Sequence, residues 1–174
     1  MRQIQRPDTG SIEVEIQKLV FGGDGLARHE GKVVFVPFAA PGDRLEVRVT
    51  EQKKNYLRGA ITNILTPGPA RTAPICPHFG SCGGCQWQHI DYACQAESKR
   101  RILEETFHHR FPESRSLPIS MEPSPKAYGY RSRARIQLRG TGDDSVTGFF
   151  RHRSHQVRPG DPPPEASVSG RRAA

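Results

Sequence analysis

Alternating apolar and polar residues predict β-strands in the first third of the chain. Residues 11–18 read SIEVEIQK, where every second side chain is apolar, and residues 44–52 repeat this period in RLEVRVTEQ. A period of two places the apolar side chains on one buried face of a strand. Residues 32–38 and 57–65 contain the β-branched and aromatic residues that strands favour, and turns rich in glycine or proline separate the runs. Four strands in so short a segment predict a small barrel.

A helical period replaces the strand period near residue 90. Residues 90–111 read IDYACQAESKRRILEETFHHRF, and Asp91 stands where a helix cap is expected. Glu97, Arg101 and Glu105 follow at intervals of four, which favours ion pairs along one face. The predicted apolar positions are Ile90, Ala93, Ile102, Leu103 and Phe107.

Composition limits how much core the 174 residues can form. Only 34% of the residues are hydrophobic and 25% are charged, with 17 glycines and 15 prolines, so we expect two small units. No run approaches the ~18 apolar residues of a membrane span, and the amino terminus lacks the apolar segment of a signal peptide. We therefore expect a cytoplasmic monomer that contacts no membrane and keeps its cysteines reduced.

A formal net charge of +8 favours an anionic partner such as nucleic acid, and the last third of the chain carries ten basic and four acidic side chains. If residues 127–140 form a strand, Arg131, Arg133 and Arg135 lie on one face about 7 Å apart, near the spacing of RNA phosphates. Residues 146–157 would then return as the second strand of a basic, RNA-binding hairpin. The alternative is an ordinary hairpin with its polar side in water. The further candidate contacts here are Arg151 and Arg153.

The predicted barrel offers a second set of candidate RNA contacts. Its segment EQKKNYLRG combines basic side chains with an aromatic ring, which suits phosphate contacts and base stacking. The alternative is a hairpin tip that is merely solvated. The candidates are Lys53, Lys54, Tyr56 and Arg58.

Three of the four cysteines lie within ten residues. Cys76, Cys82 and Cys85 are spaced C-x5-C-x2-C, and the glycines of CGGC let the backbone turn tightly and present amide groups to sulfur. Thiolates at this spacing select zinc or an iron–sulfur cluster, and both take four ligands. Cys94, which is also a candidate for burial in the helix, and His89 are candidates for the fourth ligand. Four free thiols, or a redox pair in the CxxC turn, are the remaining alternatives.

Four blocks of the sequence resemble the amino-terminal half of the bacterial SAM-dependent RNA uracil-5-methyltransferases, over residues 11–157. The blocks are KLVFGGDGLARHEGKVVFVPFAAPGDRLEVRVT, CPHFGSCGGCQWQHIDYACQAESKRRILEE, AYGYRSRARIQL and GFFRHRSHQV. The first block resembles a TRAM domain, the small RNA-binding barrel of these enzymes, and the second resembles their [4Fe–4S] motif. This pair is typical of the branch that methylates 23S ribosomal RNA. The resemblance implies a [4Fe–4S] cluster on Cys76, Cys82 and Cys85, SAM as methyl donor in the full-length family, and 23S ribosomal RNA as partner.

The resemblance also gives the expected organisation. The expected fold class is mainly β with one helix (α+β), beginning with an OB-like TRAM barrel in residues 1–66. The iron–sulfur motif, the helix and the basic antiparallel hairpin follow in residues 67–157. Residues 158–174 have the composition of a disordered tail and are foreign to the family.

The family's fourth cysteine ligand and its Rossmann-like catalytic domain have no counterpart in this sequence. The 26 residues after Gly148 are far fewer than the roughly 100 that such a domain requires. None of the four cysteines lies in the family's nucleophile motif, so no catalytic residue is predicted. We expect a truncated or frameshifted product that binds RNA but transfers no methyl group alone. A free-standing RNA-binding module with a structural zinc or iron–sulfur site is the alternative.

Overall fold

The computed structural model describes residues 10–142 and 145–158, and in them the chain is mainly β with one α-helix, as predicted. The strands of the first part are β1 (Ser11–Glu15), β2 (Lys18–Leu19), β3 (Gly25–His29), β4 (Lys32–Val36), β5 (Arg44–Gln52) and β6 (Tyr56–Thr66). The helix α1 (Tyr92–Arg110) and a short hairpin of β7 (Gln137–Arg139) and β8 (Val146–Gly148) follow. No described helix is long and apolar enough to cross a membrane.

The six strands of the first part form one sheet that closes on itself. Their order is β1-β5-β6-β4-β3-β2, so β1 and β2 lie at opposite ends of the sheet. These two strands are consecutive parts of one bent segment, which pairs with β5 through β1 and with β3 through β2. The amides of Ile16 and Gln17 donate to Asp43 (2.9 Å) and Leu26 (2.8 Å) at the bend. The bent segment therefore joins the two ends of the sheet into a barrel.

The inward face of the barrel accounts for the alternating sequence pattern. Val34, Leu45 and Val47 are completely buried, and each buried aliphatic side chain stabilises the fold by roughly 1.5–3 kcal/mol relative to exposure. Gly59 faces Val47 so closely that an added Cβ would lie 2.1 Å from the valine Cγ1 atom, which only glycine avoids. The core comprises Val14, Ile16, Ala27, Val34, Val36, Ala39, Leu45, Val47, Val49 and Leu57.

The structure confirms the four predicted strands and contains one that the sequence pattern does not predict. β5 has the predicted bounds, whereas the first predicted strand is divided into β1 and β2. The additional strand is β3, whose sequence GLARH buries only the small side chain of Ala27 and therefore shows no apolar alternation. The predicted glycine turn precedes it, with φ angles of 91° at Gly22 and 94° at Gly23.

Helix α1 begins as predicted but buries less than predicted. The Asp91 carboxylate accepts a hydrogen bond from the Cys94 amide (3.0 Å), and Arg101 pairs with Glu97 (2.6 Å). Glu105 pairs with Lys18 of β2 (2.6 Å), which replaces the predicted pair with Arg101. No helix residue is buried, and Leu103 and Phe107 are about half exposed, at 51% and 44%. Of the predicted apolar positions, Ile90, just before the helix, is 1% exposed, whereas those on the helix itself are not buried.

Two units divide the described chain. The first contains the residues up to Ala73 together with His89–Met121, and the second contains Pro74–Gln88 together with the residues from Glu122 onward. The predicted boundaries at residues 66 and 157 stay predictions. The predicted tail lies outside the described residues except for Arg158.

The hairpin of the second unit is shorter than the predicted one. β7 and β8 pair over three residues each, and the segment that precedes β7 is irregular and exposed. The residues after β8 form bridges elsewhere, Phe150 with Val157 and Arg151 with Cys82. Among the described residues, 131–136 are not part of a strand, so the predicted strand alternation of the three arginines was wrong.

Candidate nucleic-acid interface and cysteine segment

Two neighbouring strands carry aromatic and cationic side chains on the outside of the barrel. Val34 of β4 and Leu57 of β6 point into the core, so the residues on either side of them point outward. Phe35 lies opposite Arg58 in the parallel pairing, and its ring centroid is 5.7 Å from that of Tyr56 in an edge-to-face arrangement. The Arg58 guanidinium carbon lies 5.4 Å from the Phe35 centroid and 5.9 Å from the Tyr56 centroid. The three side chains form one cation–aromatic cluster.

A second cation extends this cluster across the sheet. Arg28 of β3 pairs in register with Val33, which in turn pairs with Tyr56. Ala27 is completely buried, so the adjacent Arg28 points outward, and it is exposed. We call Arg28, Phe35, Tyr56 and Arg58 the aromatic face. Protein surfaces that bind single-stranded nucleic acid combine stacking aromatic rings with cationic groups such as guanidinium.

Acidic side chains hold part of the predicted cationic site in place. Arg58 pairs with Asp24 (2.9 Å) and Glu51 (3.6 Å), and Lys53 pairs with Glu51 (3.3 Å). Lys54 is exposed at the tip of the hairpin between β5 and β6. Arg58 is thus fixed in position over the two rings, and the positive charges of both Arg58 and Lys53 are partly compensated.

A buried ion pair joins the barrel to the segment that follows it. Asp43 is completely buried and accepts hydrogen bonds from the amides of Ala40 (2.6 Å) and Gly68 (2.8 Å). The Arg71 guanidinium donates to both carboxylate oxygens, through Nε to Oδ1 (2.9 Å) and through Nη2 to Oδ2 (2.5 Å). Burial opposes ionisation of the carboxyl group, but the Arg71, Gly68 and Ala40 donors outweigh it and lower the pKa of Asp43.

His89, a candidate fourth metal ligand, is buried in the first unit. The residue is 2% exposed, and its ring lies edge-to-face against Phe38 with a centroid separation of 6.4 Å. Burial lowers the pKa of His89 from 6.5 to about 4, the nearby Arg71 charge acts in the same direction, and a hydrogen bond with the Ala39 backbone opposes them. His89 is therefore a neutral core side chain at neutral pH.

The three closely spaced cysteines flank two consecutive turns of the second unit. Cys76 is buried, Cys82 and Cys85 are partly buried, and all are free thiols. The Cys76 amide donates to the side-chain carbonyl of Gln88 (3.2 Å), and the Cys82 amide donates to the carbonyl of His78 (2.9 Å). The first bond connects the two ends of the cysteine segment, 74–88, and the second closes a turn within it.

The donor chemistry of the cysteine segment fits a thiolate-bound metal centre. The Gly84 amide lies 3.4 Å from the Cys82 sulfur and donates to it, an interaction that stabilises thiolate ligands of iron–sulfur clusters. However, no three His, Cys, Asp or Glu side chains among the described residues are gathered closely enough to hold a metal ion. The predicted cluster therefore stays a prediction.

Cys94, the other candidate ligand, lies on α1 and is half buried. Burial raises the pKa of its thiol above the ordinary value, partly offset by a contact with the Ser98 hydroxyl at 3.9 Å. A raised pKa disfavours the thiolate that metal binding requires.

The predicted arginines of the second unit are exposed, and Arg131, Arg133 and Arg135 lie outside the strands. Arg131 lies with its guanidinium carbon 5.8 Å from the Tyr130 ring centroid, and Arg133 and Arg135 follow in the irregular segment before β7. Arg151 and Arg153 are exposed in the turn after β8. All five charges are accessible to an anionic partner.

Residues 11–62 match the TRAM domain family, which corresponds to the barrel from β1 into β6. The chain contains a TRAM domain. It is 41% identical over 159 residues to an uncharacterized RNA methyltransferase of Bdellovibrio bacteriovorus, a match that covers 90% of this chain and 39% of that protein. It is 46% identical over 127 residues to a 23S rRNA (uracil(1939)-C(5))-methyltransferase of Enterobacter sp. strain 638, covering 73% of this chain and 28% of that protein.

Among solved structures, the TRAM-containing chain is similar to the Pyrococcus abyssi tRNA (uracil-54, C5)-methyltransferase, crystallised with S-adenosyl-L-homocysteine. The identity is 31%, the match covers 71% of this chain and 26% of that one, and the TM-score is 0.43. The chain spans about a third of the length of the curated relatives it matches. It corresponds to the amino-terminal, TRAM-containing region of these RNA methyltransferase homologues.

The TRAM barrel brings together two of the four residues predicted for it and adds two that were not among the predicted contacts. Tyr56 and Arg58 are in contact, while Phe35 and Arg28 are the additions. A signal for Phe35 was available, because KVVFV places it between the two inward valines of β4. Arg28 follows only from β3, which the pattern did not predict.

Proposed function

We propose that this chain binds RNA through the aromatic face of its TRAM barrel and the arginines of its second unit, as part of a SAM-dependent RNA uracil-5-methyltransferase that acts on 23S ribosomal RNA. The observation that carries the proposal is the cation–aromatic cluster of Phe35, Tyr56 and Arg58 on the outside of the barrel. Rings can stack on unpaired bases while the guanidinium groups contact phosphates. The names of the homologues support ribosomal RNA as the target.

Fluorescence anisotropy with a labelled 23S ribosomal RNA fragment, repeated over a range of salt concentrations, tests the binding. Replacing Arg131, Arg133 and Arg135 together by alanine removes three phosphate contacts, so the slope of log K against log salt becomes shallower by about 2. Tyr56→Ala weakens binding with an unchanged salt slope, because a stacking ring carries no charge. Lys99→Ala, an exposed cation on α1, is the matched control and leaves both quantities unchanged. A wild-type chain that does not bind RNA would contradict the proposal.

Within this proposal the 174-residue chain supplies RNA binding and the methyl transfer depends on residues that the homologues carry outside the matched region. Transfer of tritium from labelled SAM to an unmodified 23S ribosomal RNA fragment measures this. We expect no incorporation above background. Turnover by this chain alone would show that binding is not its whole contribution.

We also propose that Cys76, Cys82 and Cys85 bind a [4Fe–4S] cluster, with zinc as the alternative. The Gly84 amide bonded to the Cys82 sulfur supports thiolate ligation, and the cluster would fix the turns of the cysteine segment. Anaerobically purified protein is expected to contain iron and sulfide and to absorb visible light. Cys82→Ser should abolish both, whereas His78→Ala, in the same turn, should leave them in place. Colourless protein that contains stoichiometric zinc would contradict the iron–sulfur cluster and support the zinc alternative.

A further inference from the structure

The most exposed large apolar side chain of the described residues is Phe21, in the turn between β2 and β3. Its exposure is 89%, against 64% for Leu138, the next highest value. A phenylalanine ring in this position gains nothing from folding, because almost none of its surface is removed from water. The neighbours Gly22 and Gly23 carry no side chains, so both faces of the ring are accessible.

The backbone that carries Phe21 is held in a defined turn. The Val20 amide donates to the carbonyl of Asp24 (3.0 Å), and the Gly23 amide donates to the carbonyl of Val20 (3.0 Å). Gly22 and Gly23 both have positive φ angles, which glycine adopts without strain. The base of the turn is packed, since a Cβ on Gly25 would lie 2.9 Å from the Ala39 Cβ atom. The ring is thus presented by a rigid support.

The turn is connected directly to the aromatic face. The Asp24 side chain is 8% exposed and accepts a hydrogen bond from Arg58 Nη1 (2.9 Å), and Arg58 covers the rings of Phe35 and Tyr56. Phe21 is three residues from Asp24, so their Cα atoms are separated by at most about 10 Å. The exposed ring therefore lies beside a surface that already contains aromatic and cationic groups.

We propose that Phe21 is a base-stacking residue that receives an unpaired nucleobase of the RNA, next to the nucleotides bound by the aromatic face. This inference rests on the proposed RNA-binding function and names the part of the RNA that the TRAM barrel recognises. An exposed ring three residues from Asp24, whose carboxylate holds the cationic Arg58 side chain over two further rings, suits an anionic, aromatic ligand. A protein partner would instead favour several contiguous apolar side chains around the ring.

The experiment uses the full chain and two fluorescein-labelled RNAs of about 12 nucleotides, an oligouridine single strand and a fully paired duplex. Phe21→Ala is expected to weaken binding of the single strand at least about fivefold and to change binding of the duplex less than about twofold, because only unpaired bases can stack on the ring. The salt slope is expected to stay the same. Phe21→Trp, which keeps an aromatic ring, should retain the wild-type affinity.

Phe21→Leu distinguishes stacking from a contact that needs only an apolar side chain, and we expect it to bind as weakly as Phe21→Ala. Wild-type affinity of Phe21→Leu, or of Phe21→Ala, for the single strand overturns the inference while RNA binding by the chain stands. A wild-type chain that binds neither RNA overturns the proposed function and this inference with it. Circular dichroism should show the same fold for all variants, because the ring is exposed.

Discussion

Replacing Asp43 by asparagine is expected to destabilise the first unit strongly, although the substitution changes no volume. The two carboxylate oxygens accept five hydrogen bonds: Oδ1 accepts from Gly68 and Arg71 Nε, and Oδ2 accepts from Ala40 and from Nε and Nη2 of Arg71. The asparagine amide can present only one oxygen. In either orientation its NH2 group faces at least two donors, and the positive charge of Arg71 loses its partner in the protein interior.

The magnitude follows from the burial of the pair. The Asp43 side chain is 0% exposed and the Arg71 side chain 16%, so water replaces little of what is lost. Removing one partner of a buried ion pair costs about 3–5 kcal/mol of stability. Asp43→Asn keeps one acceptor oxygen, so we expect a loss near the lower value. A loss of about 3 kcal/mol lowers the melting temperature of a domain of this size by about 15 °C.

Thermal and urea unfolding followed by far-ultraviolet circular dichroism at neutral pH measures the effect. The matched control is Glu13→Gln, which removes the partner of Arg44 in an ion pair at 3.5 Å whose side chains are 60% and 56% exposed. An exposed pair contributes at most about 1 kcal/mol, so the control should unfold close to wild type. If Asp43→Asn melted within about 3 °C of wild type, the assigned role of the buried pair would be refuted.

Two further predictions concern the core of the first unit. The pKa of His89 falls from 6.5 to about 4 on folding, so the unfolded chain takes up the proton at a higher pH than the folded chain does. The free energy of unfolding therefore decreases by about 3 kcal/mol as the pH falls from 6.5 to about 4. Urea midpoints should show that His89→Gln lacks this contribution while exposed His109→Gln keeps it; identical pH profiles of the two variants would contradict it. Gly59→Ala should cost about 1–3 kcal/mol through its overlap with Val47, measured against Gly10→Ala, which has open space, and equal melting of the two would refute the overlap.

Local pattern was sufficient for most of the barrel because strand alternation directly reports burial. In β5, Leu45, Val47 and Val49 point inward as the period predicts, and the Asp91 cap of α1 is equally local. The exposure of Leu103 could not be predicted in this way. An apolar residue at helical spacing shows where a partner would pack, but it does not show that the described chain supplies one.

Pairing partners are the information that local sequence lacks. The alternation of Arg131 with small and apolar neighbours is that of a strand, yet a strand forms only where another offers its hydrogen bonds. The backbone carbonyls after β8, which could have extended the hairpin, bond elsewhere. The Arg158 amide donates to the Phe149 carbonyl (2.9 Å), and the Gly83 amide donates to the Phe150 carbonyl (2.8 Å). Cys82 and Arg151 form a bridge in the same region. The hairpin therefore ends after three pairs, and the arginines bind RNA, as proposed, from an irregular segment instead of a regular face.

The buried ion pair also bears on where the barrel ends as a folding unit. The sequence places a boundary at residue 66, and the TRAM family match ends at residue 62. However, Asp43 lies inside these limits, and two of its donors, Gly68 and Arg71, lie beyond them. A fragment that ends at residue 66 would bury the carboxylate with only the Ala40 amide as a donor, which is costly for a charge. Stability of the TRAM barrel thus depends on residues that follow the matched range, and fragments that include Arg71 should unfold at higher urea concentrations than shorter ones.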